Sequence, residues 1–82
     1  MRIEISQEDI NKGKQSDPEK CPIARAINRK KLRDVSVYSD SITWRDQKND
    51  LCEQDNTNKI RKFIDNFDHG IKVSPFSFNL RS

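Results

Sequence analysis

Cys21 stands directly before Pro22, at the start of a segment with helical spacing. A thiol at a helix N-terminus feels the positive end of the dipole and gives up its proton more readily, so this is the place in the chain closest to nucleophilic chemistry. A thiol nucleophile also needs a base within reach. The one histidine, His69, lies beside Gly70 at the end of a different predicted helix, where complementing the dipole accounts for it. Cys52 is the only other thiol, and two cysteines with one histidine at distant positions lack the paired spacing of a zinc site. Carboxylates are plentiful but stand beside lysine or arginine, and no pair is marked as acid and base. Gly13 and Gly70 are the only glycines, too few for a glycine-rich phosphate loop. These residues predict a protein that is not an enzyme and that carries no metal and no cofactor.

Binding chemistry has better candidates. Arg25, Arg29, Lys30, Lys31 and Arg33 place five positive charges within nine residues, with the arginines at four-residue spacing along one helical side. Such a row can follow a phosphate backbone. The same row is also what a surface helix gains from dipole complementarity and solubility, and no aromatic residue is interleaved to stack on bases. Tyr38 and Trp44 fall in a predicted hairpin, where strand alternation puts Trp44 on the apolar face and Tyr38 on the other. There Tyr38, with Ser36, Thr43 and Arg45, forms a flat, mixed polar surface suited to a protein partner or a dimer contact.

The elements that position these residues follow from periodicity. Ile3 and Ile5 alternate with charged residues as a half-buried strand. Ser6 and Asp9 occupy the two positions of a capping box for a short helix over residues 7–12, with Ile10 inward and Gly13 as a left-handed stop. Pro22 suits the first turn of a second helix running to about residue 32 and burying Ile23, Ala26, Ile27 and Leu32. Val35-Ser36-Val37-Tyr38 and Ile42-Thr43-Trp44 alternate with period two around a Ser39-Asp40-Ser41 turn, which predicts a hairpin whose buried face is Val35, Val37, Ile42 and Trp44. Residues 45–58 are polar apart from Leu51 and Cys52 and read as a mobile loop that touches the core once. Ile60, Phe63, Ile64 and Phe67 at i, i+3, i+4 and i+7 define an amphipathic helix, capped by Thr57 or Asp55 and stopped by Gly70. Phe76, Phe78 and Leu80 alternate along a final strand. The expected order is β-α-α-β-β-α-β, an α+β fold with a small, mainly antiparallel four-stranded sheet and helices on one face.

Composition sets the scale. Across 82 residues, 32% are hydrophobic and 35% charged, so the core of this one small domain is thin and a homodimer or an obligate partner is credible. Sixteen basic residues nearly balance thirteen acidic ones, and a net charge of +3 gives only weak support for a polyanion partner. No apolar run approaches a membrane span and no charged-then-apolar leader opens the chain, so cytoplasmic residence with free thiols is expected.

Two stretches carry a resemblance. Ile5-Ser6-Gln7-Glu8-Asp9-Ile10-Asn11-Lys12-Gly13 with Cys21-Pro22-Ile23-Ala24-Arg25-Ala26, and Phe63-Ile64-Asp65-Asn66-Phe67-Asp68-His69-Gly70 with Pro75-Phe76-Ser77-Phe78, together resemble a group of small proteins encoded by bacteriophages and prophages. The similarity covers nearly the whole chain and is weakest in the middle hairpin. Members of that group often carry a further cysteine shortly before the Cys-Pro pair, where this chain has Pro18-Glu19-Lys20. The resemblance implies an accessory protein that binds a host component and transfers no functional residue. The leading expectation is therefore a small non-catalytic protein acting by contact with a host or self partner. The competing one is a nucleic-acid-binding module that uses the basic helix 22–33.

Overall fold

The structure, a computed structural model, describes residues 1–81. Its order is β1 (Arg2–Ile5), α1 (Gln7–Lys12), α2 (Pro22–Asn28), β2 (Arg33–Val37), β3 (Ser41–Arg45), β4 (Leu51–Asp55), α3 (Asn58–Asp68) and β5 (Phe76–Asn79). The fold is a small α+β one, but its strands form two antiparallel sheets: β1 pairs with β5, and β2, β3 and β4 form a second sheet in that order. The expected four-stranded sheet is thus replaced by five strands in two groups.

The extra strand is β4, in the segment expected to be a loop. Its sequence, Leu-Cys-Glu-Gln-Asp, has little strand propensity, and ladder pairing with β3 overrides that weakness. Asp46 closes the connecting turn by accepting from the Lys48 and Asp50 N–H groups at 2.9 and 3.0 Å, and Asn49 adopts a left-handed conformation. Leu51 and Cys52 are neighbours on a strand and point to opposite faces. Cys52 faces Trp44 and packs against the core, whereas Leu51 is 65% exposed and anchors nothing.

The capping box of α1 is present in full: the Ser6 hydroxyl accepts from the Asp9 N–H at 3.1 Å and the Asp9 carboxylate accepts from the Ser6 N–H at 2.9 Å. Gly13 ends the helix without the expected left-handed turn, at φ −69° and ψ 154°. Its role is close approach, since a Cβ there would lie 2.6 Å from Cδ of Pro22. Gly70 does adopt φ 75°, and the Gly70 and Ile71 N–H groups donate to the Phe67 and Asn66 carbonyls at 3.1 and 2.8 Å, which closes α3 in a Schellman motif.

Helix α2 stops at Asn28, four residues before the expected end. The chain tightens through hydrogen bonds from the Lys30 and Lys31 N–H groups to the Ile27 and Asn28 carbonyls, and Lys31 takes φ 62°. This reversal lets Leu32 enter the core and turns Arg33 into the first residue of β2. The core gathers Ile3 and Ile5 from β1, Ile23, Ala26 and Ile27 from α2, Val35, Val37, Ile42 and Trp44 from the hairpin, Ile60 and Phe63 from α3, and Leu80. Val35, Val37, Ile42 and Trp44 lie on one buried face, as alternation predicts.

Side chains and loops close the sheet edges. The Pro18 carbonyl accepts from the Val37 N–H on β2 at 2.8 Å, and Arg29 donates to the Glu4 carbonyl on β1 at 2.9 Å. Between the sheets, the Gln54 amide donates to the Asn79 carbonyl at 3.1 Å and accepts from the Arg81 N–H at 2.7 Å, while the Arg81 guanidinium donates to the Glu53 carbonyl. At each edge at least one backbone group is thereby occupied.

Candidate functional site

Asp9 is the most constrained charge in the molecule. It is 0% exposed, and both its oxygens accept from the Arg29 guanidinium, Oδ2 at 2.8 Å. Arg25 Nε lies 3.5 Å from Oδ1. Burial alone would push the Asp9 carboxyl up, but hydrogen bonds from Arg29 and Ser6 outweigh it and hold the carboxyl below its usual range. Arg29 is raised in turn, chiefly by its hydrogen bond to Asp9. A buried carboxylate left without its cation is costly, so α1, α2 and β1 are locked together here.

This pairing redistributes the basic row read in the sequence. Arg25 and Arg29 do share one side of α2, but that side is turned to Asp9. Lys30 and Lys31 lie exposed in the turn beyond the helix, and Arg33 belongs to β2. The five charges therefore form no continuous helical stripe. A surface hollow of about 560 Å³ lies beside the cluster, lined by Ser6, Glu8, Arg25, Asn28 and Arg29, so its cations are balanced by Glu8 on the rim and Asp9 beneath.

Tyr38 and Arg45 both lie toward the outer face of the three-stranded sheet. Register places Ser36 opposite Thr43 and Arg33 opposite Arg45, with an irregularity between that accommodates Asp34 at φ 52°. Like charges directly opposite each other repel. Here Asp34 relieves the repulsion at 3.2 Å from Arg45, while Asn49 accepts from Arg45 through its carbonyl and from Arg33 through its side chain, each at 3.1 Å. Tyr38 is 51% exposed at the other end of the face, and Leu51, opposite Arg45, adds an exposed apolar group where the sequence predicts a core contact. Strand parity is the signal that could have found it, had residues 51–55 been read as a strand.

Cys21 caps α2 as expected, its Sγ accepting from the Ala24 N–H at 3.4 Å. Burial nevertheless pushes its thiol up, opposite to the activation a helix N-terminus can provide. Both cysteines are free thiols. His69 is exposed, with Nδ1 2.7 Å from the Asp65 carbonyl. Among the described residues, no three side chains of His, Cys, Asp or Glu gather where a metal could sit, and no helix is long and apolar enough to cross a membrane.

A further feature lay outside the sequence reading. Phe63 and Phe76 meet with ring centroids 4.7 Å apart, Phe78 stacks beyond Phe76 at 6.1 Å, and the Lys59 ammonium sits 5.4 Å from the Phe76 centroid. Contact across sequence between α3 and β5 creates this arrangement, and neither segment signals it alone. The chain matches no protein-family model, no curated protein and no solved structure.

Proposed function

We propose that the chain is a small non-catalytic binding protein that acts through protein contact, using the outer face of the sheet β2-β3-β4. The observation that carries this reading is the composition of that face: Tyr38 and Leu51 stand exposed at its two ends, and Arg45 is held by Asp34 and Asn49. An exposed tyrosine and an ordered arginine are side chains that anchor protein interfaces, and Leu51 adds apolar area beside them. The contacts that interrupt each sheet edge favour contact by a face over addition of a strand. Partners of either kind, a host protein or a second copy, suit such a surface.

The test is affinity capture from nuclease-treated extract with the wild-type chain and with Leu51→Glu as baits. A discrete protein, or the chain itself, is expected with the wild type and not with the variant, whose exposed position leaves folding intact. Identical capture by both baits, or no discrete protein with the wild type, would contradict the reading.

A further inference from the structure

Among the five principal hollows on the surface, four include an acidic side chain in their walls: Glu8, Asp17 with Asp68, Asp46 with Asp50, and Asp65. The fifth has none. It is a groove of about 390 Å³ between α3 and the segment entering β5, with Phe63, Phe76 and Pro75 as apolar wall and Lys59, Lys72 and Asn66 around it. Neither lysine has a carboxylate within ion-pair distance among the described residues.

The helix that supplies one wall carries a second anomaly. Lys59, Arg61 and Lys62 occupy the N-terminal half of α3, whose first turn holds no acidic residue. Lys59, the one cation within the first turn, opposes the helix dipole at a cost of about 0.3–1 kcal/mol. Helix α1 follows the favourable rule, with Glu8 and Asp9 in its first turn. Helix α2 also lacks an acidic first turn, so what sets α3 apart is the cation Lys59 placed there, a charge that works against the local rule.

We propose that this groove binds one nucleotide of a single-stranded nucleic acid, the base stacking on Phe76 and the flanking phosphates meeting Lys59 and Lys72. Every base offers a π face, and the Phe63–Phe76 pair holds the receiving ring in place. Lys59 is exposed, so its ammonium can leave the ring for a phosphate when a base arrives. The Asn66 amide and the Ser74 hydroxyl supply polar groups for a base edge. Arg61 and Lys62 belong to a different face of α3, where they line a hollow with Asp65, so the phosphate contacts of this groove fall to Lys59 and Lys72. In a duplex the bases are stacked on one another and withheld from the ring, so single strands are preferred. The site shares no residue with the outer sheet face and stands independently of the protein-contact reading.

Fluorescence anisotropy with a labelled oligothymidylate tests this, with the matching duplex and a labelled acidic peptide as comparison probes. The single strand is expected to bind most tightly. Lys59→Glu and Lys72→Glu should each weaken it by about tenfold or more, and each charge lost should lower the slope of log affinity against log salt by about 0.7. Phe76→Leu keeps an apolar side chain and should weaken binding by about 5- to 100-fold through lost stacking. Lys30→Glu with Lys31→Glu should change little. No binding at low salt, equal affinity for duplex, equal loss in the Lys30/Lys31 variant, or tighter binding of the acidic peptide would each overturn the proposal. The exposed lysine variants decide the matter even if Phe76→Leu perturbs folding.

Discussion

Two regions concentrate positive charge in this chain, α2 with the turn after it and the N-terminal half of α3, and they use it in opposite ways. At α2, Arg25 and Arg29 converge on the buried Asp9 from α1, and Arg29 also closes the edge of β1. At α3, Lys59, Arg61 and Lys62 have no carboxylate partner among the described residues, and Lys59 stands in the first turn, where the helix dipole disfavours it. In the denser row the two arginines are engaged by a carboxylate, while Lys30, Lys31 and Arg33 beyond the helix stay exposed. A count of charges along a sequence gives the sum, and the tertiary partner decides how much of it faces a ligand.

The sharpest way to break this comparison is to remove the partner. Asp9→Ala leaves two guanidiniums without their shared carboxylate and dismantles the capping box. We expect a loss of about 2–4 kcal/mol in urea unfolding, somewhat below the cost for a fully buried pair because both arginines keep solvent access. A change within about 0.5 kcal/mol would mean that the cluster is a surface pair of little weight. Arg29→Met should cost about 1–3 kcal/mol, since Arg25 still faces Asp9, with oligonucleotide affinity of the folded protein unchanged.

Acid tests the same cluster without mutation. The Asp9 carboxyl titrates lower in the folded chain than in the unfolded one, so at acid pH the unfolded state binds the proton first. The stabilisation is complete above the unfolded value of about 3.9 and is lost as the pH falls through the folded value. Urea midpoints between about pH 2 and 6 should show a fall that Asp9→Asn flattens.

The smallest stability effect is the most diagnostic. Lys59→Glu exchanges an unfavourable cation for a favourable anion in the first turn of α3 and loses the contact with Phe76. Stability should stay level or rise by about 0.5 kcal/mol while oligonucleotide binding falls. A side chain retained only for folding would show the two changing together.

Much of the fold could be read from local patterns. The Ser6–Asp9 box, the apolar face Val35, Val37, Ile42 and Trp44, and the stripe starting at Ile60 and Phe63 each depend on spacing within one element, and each is present. Strand β4 escaped because its pairing with β3, and not its own residues, makes it a strand. Gly13 escaped because its constraint is the ring of Pro22, nine positions away in sequence. The surfaces were legible to a lesser degree: Tyr38 and Arg45 follow from alternation, whereas the engagement of Arg25 and Arg29 with Asp9, and the meeting of Lys59 with Phe76, require long-range packing.

The division between structural and available charge is tested most directly by mapping amide chemical-shift changes on the ¹⁵N-labelled chain titrated with oligothymidylate. The account predicts shifts at residues 59–66 and 72–76, with 25–29 silent. Shifts concentrated at residues 25–33 would place the available charge on the second helix and contradict it.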